Sequence, residues 1–247
     1  MKEVYLAYFD FMGFKEFIFN NDDETLMRRM GHIFRDIEAS LGLGKYQKPR
    51  NGVILADLSH SKLNCLNISD TVLIWTNDCS HESLIELIKV AYHFNWTENT
   101  YNFPVRGSIV KGKIREVTGK NINSEGGSYS VQCVYGKAMI DAHLKAENQN
   151  WAGTVIDESV LSDLKSTEEG EQLLNEVSVK YKVPYKTGEL EEYVLKLKKG
   201  KLNEIALNNT LSDIDRIFSM DNKRINDSVK IKIDNTKKFL IDSKDIE

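Results

Sequence analysis

Two carboxylates in this chain have surroundings that suit chemistry. Asp10 ends the apolar run of VYLAYFDFMGF, and Gly13 follows three residues later. Asp70 stands in NISDTVLIW, between two further apolar runs. Strands of this composition belong in a core, where an unpaired charge is costly. Two carboxylates at one place repel unless a cation lies between them. Oxygen ligands without His or Cys suit Mg²⁺ or Mn²⁺. Phe11, Met12, Gly13 and Phe14 lead from a strand into a helix, and free N–H groups at such a junction suit a phosphate. Metal ligands beside a phosphate cradle are the equipment of phosphoryl or nucleotidyl transfer. Each carboxylate alone also has a plain structural reading, Asp10 as a helix cap and Ser69-Asp70 as a turn dipeptide. The pair, flanked by apolar runs, points to a metal.

The elements that must position this pair follow from periodicity. Residues 3–9 are β-branched and aromatic and read as a strand, with a helix starting near Phe14. Leu26, Met30, Ile33, Phe34, Ile37 and Leu41 have helical spacing over 24–41, and the Gly- and Pro-containing stretch 41–52 reads as a loop. Residues 62–68 and 71–76 form a hairpin about Ser69-Asp70. A second amphipathic helix starts at a Ser80 or Ser83 cap. A strand over 103–114, a polar Gly-rich loop over 118–130, a helix over 135–149 and a short strand over 153–157 follow. The order βαββαβ is that of an α+β, ferredoxin-like fold, which sets the hairpin beside the first strand and brings Asp70 to Asp10. We expect this unit to occupy 1–167. Residues 168–247 read as an appended hairpin, a short helix in TLSDIDRIFSM and, over 221–247, a loosely held charged tail.

Further candidates are less specific. Asn67 could read a base edge or be an outward polar residue. Arg106 could contact phosphate or serve a structural ion pair. Lys111 and Lys137 could offset triphosphate charge, although Lys137, Asp141 and Lys145 also form an i, i+4, i+8 ladder on a solvated helix face. His143 reads as a surface or interface residue. Tyr129 and Tyr135 could stack on a base or simply pack. A net charge of −4 argues against a dedicated nucleic-acid binder. Cys65, Cys79 and Cys133 lack metal-ligand spacing and read as reduced cytosolic thiols. The first apolar stretch is interrupted by Asp10 and Lys15 and does not read as a signal peptide, and no apolar run is long enough to span a membrane.

Across residues 4–157 the sequence resembles the class III nucleotide cyclase family. YFDFMGFKEFI is similar to that family's first metal motif, NISDTVLIW to its second, VRGSIVKG to the strand that follows, and VYGKAMIDAHLKAE to its late helix. The bacterial Pycsar pyrimidine cyclases are the subset most similar in the Ser-Asp form of the second motif and in Gly136, Ala138, Ala142 and Glu147. The resemblance implies a cyclase catalytic domain with extra C-terminal elements. It implies two Mn²⁺ or Mg²⁺ ions held by Asp10, Asp70 and the Phe11 carbonyl, with Phe11 to Phe14 wrapping the triphosphate. It implies UTP cyclised to 3′,5′-cyclic UMP, with CTP to cyclic CMP as second choice, as a cytoplasmic anti-phage signal made by a homodimer with interface sites. Three positions depart from the class III pattern. Ile140 and Leu144 stand at the transition-state Asn and Arg, and Leu66 at the purine-selecting Lys. The alternatives are therefore an inactive nucleotide sensor of the same fold, or a palm-type oligonucleotide synthetase, against which the lack of a GGDD-like hairpin counts.

Overall fold

A computed structural model of the chain describes residues 1–49, 51–52 and 54–245; Arg50, within the predicted 41–52 loop, lies outside them. The elements run β1 (Lys2–Phe11), α1 (Phe14–Asn20), α2 (Asp23–Leu41), β2 (Asn64–Ile68), β3 (Thr71–Trp75), α3 (His81–Tyr101), β4 (Val105–Ile122), β5 (Ser128–Tyr135), α4 (Lys137–Glu147) and β6 (Thr154–Ile156). They continue α5 (Glu158–Leu164), α6 (Glu168–Val177), β7 (Ser178–Tyr185), β8 (Gly188–Leu195), α7 (Glu204–Ser219) and α8 (Asp227–Ser243). The predicted ferredoxin-like core is present as the strand order β2-β3-β1-β4, which β6, β8 and β7 extend in the same sheet. β1 pairs antiparallel with β3 and with β4, so Asp10 faces Thr71 on one side and Arg106 on the other.

Alternation along β1 divides the core. Tyr5, Ala7, Phe9 and Phe11 point to a face packed with α3 and with buried residues of α2, α5 and α6. Val4, Leu6 and Tyr8 point the other way and join Leu73, Trp75, Val110 and Ile114 beneath Ala138, Ala142 and Ala146 of α4. Three alanines on one stripe let α4 lie close to the sheet, and the Ser108 hydroxyl donates to the Ala142 carbonyl at 2.8 Å. Gly136, at the start of α4, has φ 151°. A Cβ there would lie 2.2 Å from the Lys113 carbonyl oxygen. Gly136→Ala is therefore expected to cost more than about 2 kcal/mol, read as a lowered urea midpoint, because the clash is with backbone and the φ disfavours a side chain.

Two expectations are corrected, and two helices add to the expected order. Residues 118–130 are mostly strand rather than loop: β4 continues to Ile122 and pairs with β5, with a turn in which Asn123 Oδ1 accepts from the Glu125 and Gly127 amides. Both faces of this arm are largely exposed, so its sequence lacks the apolar alternation that marks a half-buried strand. α5 and α6 were not predicted; their short runs bury Val160, Leu161, Leu164, Leu173, Leu174 and Val177. Residues 221–247 do not form a loose tail through Ser243. Asn226 caps α8 by accepting from the Val229 amide at 3.0 Å, and Ile233, Thr236, Phe239 and Leu240 are buried. A third core results, in which Met12 and Trp151 pack with residues of β6 to β8, α7 and α8.

Candidate active site

β1 ends at Phe11, and the register sets Asp10 in the last row that spans β3, β1 and β4, with Thr71 and Arg106. This row lies on the α4 face, where Tyr8 and Ser108 form the next row. The β2–β3 turn closes against the same strand end: the Phe11 amide donates to the Asp70 carbonyl at 2.8 Å. Ser69, before Asp70, holds a left-handed φ of 56°, which makes the turn tight enough for this bond. The two predicted carboxylates are thus brought together.

Their environments differ. Arg106 Nε donates to Asp10 Oδ2 at 2.7 Å, and both side chains are largely buried, at 16% and 17% exposure. A second guanidinium nitrogen of Arg106 donates to the Glu147 carbonyl at 2.8 Å, tying the end of α4 to the row. Burial raises the Asp10 pKa above its ordinary value; Arg106 opposes, the Asp70 charge adds to the rise, and His143 opposes weakly. Burial together with a like charge outweighs the ion pair. Among the described residues, Asp10 Oδ1 and the Asp70 carboxylate take no hydrogen bond or ion pair. No group of three His, Cys, Asp or Glu side chains lies close enough to cage a metal among the described residues. Two carboxylates with open oxygens suit a hard cation that keeps waters and takes phosphate oxygens, as Mg²⁺ does.

The turn after Asp10 is narrower as a cradle than the sequence suggests. The Phe11 and Met12 amides are already used, the latter by the Pro104 carbonyl at 2.8 Å. Phe11, Met12 and Phe14 bury their side chains, so only backbone could face a ligand. Gly13 caps α1 with φ 82° and no side-chain cap, leaving the amides of the first turn unpaired within the helix. Lys223 lies behind this turn, its Cδ 3.0 Å from where a Gly13 Cβ would be. The Arg224 amide donates to Glu16 at 2.6 Å, and Arg29 pairs with Asp221 at 2.9 Å, so the α7–α8 connection clamps α1 and α2.

Lys223 sits where a charge is poorly solvated. Its ammonium is buried, lies 3.7 Å above the Phe103 ring and has no hydrogen-bond partner among the described residues. Burial brings its pKa down to about 7; Asp221 and Glu98 oppose, and Arg29 adds to the fall. A depressed folded pKa makes its stability contribution complete above the ordinary value of 10.5 and lost as pH falls through about 7. Lys223→Met, which keeps the apolar stem, is expected to be more stable than the wild type at pH 6 by on the order of 1–2 kcal/mol. The gap narrows toward pH 10; urea unfolding at the two pH values checks it.

The other predicted residues divide by register. Asn67 pairs with Val72, which pairs with Phe9, so its side chain leaves the sheet on the face opposite Asp10; its Nδ2 donates to the Thr71 carbonyl at 3.0 Å and fastens the hairpin rather than facing the pair. Lys111 faces Tyr5, on the opposite side of the sheet and about 17 Å down the strand from Asp10. Its ammonium pairs with Asp163 at 2.7 Å and is not brought to the site within one chain. Lys137 starts α4, whose next residue, Ala138, lies against Gly112 opposite Val4, about 20 Å from Asp10 along β1. Further residues arrive at this row. The Tyr8 hydroxyl lies 3.0 Å from His143 Nδ1 and 3.5 Å from the Thr71 hydroxyl, and burial raises its pKa. Burial lowers the Lys232 pKa on α8, the Arg106 charge adds to the fall and the Asp10 charge opposes it. A cavity of about 900 Å³ lies elsewhere, between α2 and Tyr46, Ile54 and Leu55.

No helix is long and apolar enough to cross a membrane among the described residues. No protein-family model and no curated protein sequence matches the chain. Solved structures do. The chain is similar to the guanylate cyclase domain of RhGC from Catenaria anguillulae, solved in complex with GTP, with TM-score 0.54 and 12% identity over 80% of this chain and 98% of that one. It is similar to a dimeric guanylyl cyclase domain of the RhoGC fusion protein from Blastocladiella emersonii, with TM-score 0.52 and 13% identity over 79% and 96%. The guanylyl cyclase Cya2 matches with TM-score 0.50 and 10% identity over 78% and 90%. The mixed α+β architecture, with its eight-stranded sheet, is therefore that of class III nucleotide cyclase catalytic domains.

Proposed function

We propose that this chain is a metal-dependent nucleotide cyclase that converts a pyrimidine nucleoside triphosphate, UTP before CTP, to its 3′,5′-cyclic monophosphate and diphosphate. The observation that carries the reading is the juxtaposition of Asp10 and Asp70 at one sheet edge, with open carboxylate oxygens beside the Gly13 turn, in a cyclase fold. In the reaction the substrate's 3′-oxygen bonds to the α-phosphorus, the bond to the diphosphate breaks, and the hydroxyl proton is released. Asp10 and Asp70, with the Phe11 carbonyl, would hold two Mn²⁺ or Mg²⁺ ions, whose chemistry is to acidify the hydroxyl and offset phosphate charge. The unpaired amides of the first turn of α1 would face the triphosphate. Arg106 holds one oxygen of Asp10 and fixes its direction, so the other oxygen is presented to the site.

A pyrimidine is supported by Leu66, apolar and packed against the core where class III purine cyclases carry a base-reading Lys. A dimer is supported by the exposed β4–β5 arm and by Ile140 and Leu144, which lie 60% and 49% exposed on the outer face of α4. The product would serve as a second messenger in anti-phage defence. Apolar residues at those two α4 positions also favour the second reading, a nucleotide sensor without turnover.

Incubating the protein with Mn²⁺ and each of the four NTPs, then identifying products by mass spectrometry, tests this. Cyclic UMP or cyclic CMP, absent with Asp70→Asn, is expected. A cyclic purine product would overturn the pyrimidine assignment. Binding without any cyclic product would establish the sensor instead, and oligonucleotide products a palm-type synthetase.

A further inference from the structure

The cavity of about 900 Å³ beside α2 lies on the face of the sheet opposite the Asp10 row. Its volume is that of a small-molecule site. Arg29, His32, Asp36 and Ala39 line one wall, and their spacing along α2 sets them on a single stripe of the helix. Tyr46 and Leu55 line the facing wall. There the Gln47 amide donates to the Leu55 carbonyl and the Asp57 amide to the Lys45 carbonyl, both at 2.9 Å. Tyr101 and Asn102, at the end of α3, complete the lining beside Arg29 and Asp36. Asn102 Nδ2 donates to Asp36 Oδ2 at 2.8 Å, and a guanidinium nitrogen of Arg29 donates to the Asn102 carbonyl at 2.9 Å. The Trp96 ring meets Tyr101 edge-on at 5.7 Å and steadies it.

The hydrogen bonds around this cavity fix its charge. Arg29 is buried, and Asp221 matches its charge at 2.9 Å. Arg29 also lies 3.3 Å from His32 Nδ1. A guanidinium only donates, so Nδ1 accepts and His32 is a neutral imidazole with its proton on Nε2. Arg35 remains, against Asp36 and Glu38. Among the described residues Asp36 makes no ion pair, although it is half-buried. A cation here would meet Arg29 and Arg35, and an anion would meet Asp36 and Glu38. The lining therefore suits a neutral ligand that brings N–H donors to a carboxylate. The tyrosine rings and Leu55 suit a flat one.

We propose that this cavity binds a nucleobase whose edge carries two adjacent N–H donors, as guanine does, with Asp36 accepting from that edge and Tyr101 packing against the ring. The inference goes beyond the cyclase reading and does not rest on it. Arg35 is exposed, and its Nε is held by the Gly31 carbonyl at 3.1 Å. Its terminal nitrogens are left for a phosphate, should the base arrive as a nucleotide.

Calorimetric titration of the full chain with guanosine, GMP, adenosine and uridine, in EDTA so that no metal takes part, tests this. Guanosine is expected to bind about tenfold more tightly than adenosine or uridine, and Asp36→Asn to weaken it about tenfold. Tyr101→Ala should weaken it about threefold; Tyr101 is 58% exposed, so its removal does not threaten the fold. Thermal unfolding of both variants should match the wild type, separating a binding role from a packing one. Tighter binding of GMP than of guanosine would assign a nucleotide, and equal binding a nucleoside; each upholds the site. No binding of guanosine or GMP to the wild type, equal affinity in Asp36→Asn, or adenosine and uridine binding as tightly as guanosine would overturn the proposal. Asp36-dependent guanosine binding by a protein that cyclises no NTP would uphold it while the cyclase reading fell.

Discussion

Asp70→Asn is expected to lower cyclic nucleotide formation by about 10³-fold or more, and Asp10→Asn by as much, while the fold is retained. A loss of that size is about 4 kcal/mol of transition-state stabilisation, the range expected when a charged ligand of the reacting centre is neutralised. Stability should move little, or the other way. Burial and the Asp70 charge raise the Asp10 pKa in spite of Arg106. Its contribution to stability is therefore complete below the ordinary value of 3.8 and lost as pH rises through the folded value. Asn at this position escapes that loss and still offers Arg106 a carbonyl acceptor. Asp10→Asn should thus unfold within about 1 kcal/mol of the wild type at pH 7, on the stable side if it differs. Activity assays and urea unfolding on the same preparations check the pair of outcomes. A residue whose removal ends activity and costs no stability is placed for function; parallel loss of both would mean that Asp10 serves the fold through Arg106.

Phe239→Ala is expected to destabilise the protein by about 3–5 kcal/mol, the cost of emptying a fully buried aromatic site. The Phe239 ring meets Trp151 edge-on at 4.8 Å and Tyr181 at 4.8 Å, so one side chain joins α8 to the segment after α4 and to β7. For a chain of this size that corresponds to a melting temperature lower by roughly 10 °C. Because α8 packs against Met12 of the candidate phosphate turn, loosening it should also weaken nucleotide binding below the melting temperature. Thermal unfolding and nucleotide titration at one temperature read both effects. An exposed, polar position on the same helix, such as Asp234, should show neither.

What the sequence made legible was local. Apolar runs that stop at Asp10 and Asp70 can be read directly, and the βαββαβ order is enough to bring them together. Arg106 was ambiguous because a strand Arg beside a glycine suits a phosphate or a carboxylate, and only the register opposite Asp10 settles which it meets. Register also decides against Lys111, since one residue's shift along a strand changes its face. Tyr8 and His143 lie 135 positions apart and meet only through the packing of α4. α8 did carry a signal, Val229, Ile233, Thr236, Phe239 and Leu240 at helical spacing. Its many Lys and Asp residues conceal that face, because they give the segment the composition of a solvated tail. The β4–β5 arm had no such signal, since neither face is buried in one chain.

Manganese binding measured by electron paramagnetic resonance, with a non-cyclisable UTP analogue present, tests the central claim most directly, because it reads the carboxylate pair without depending on turnover. Wild-type protein should immobilise Mn²⁺ only when the nucleotide is present, and Asp10→Asn and Asp70→Asn should each lose most of that signal. Equal Mn²⁺ immobilisation in the wild type and in the double Asn variant would contradict the account.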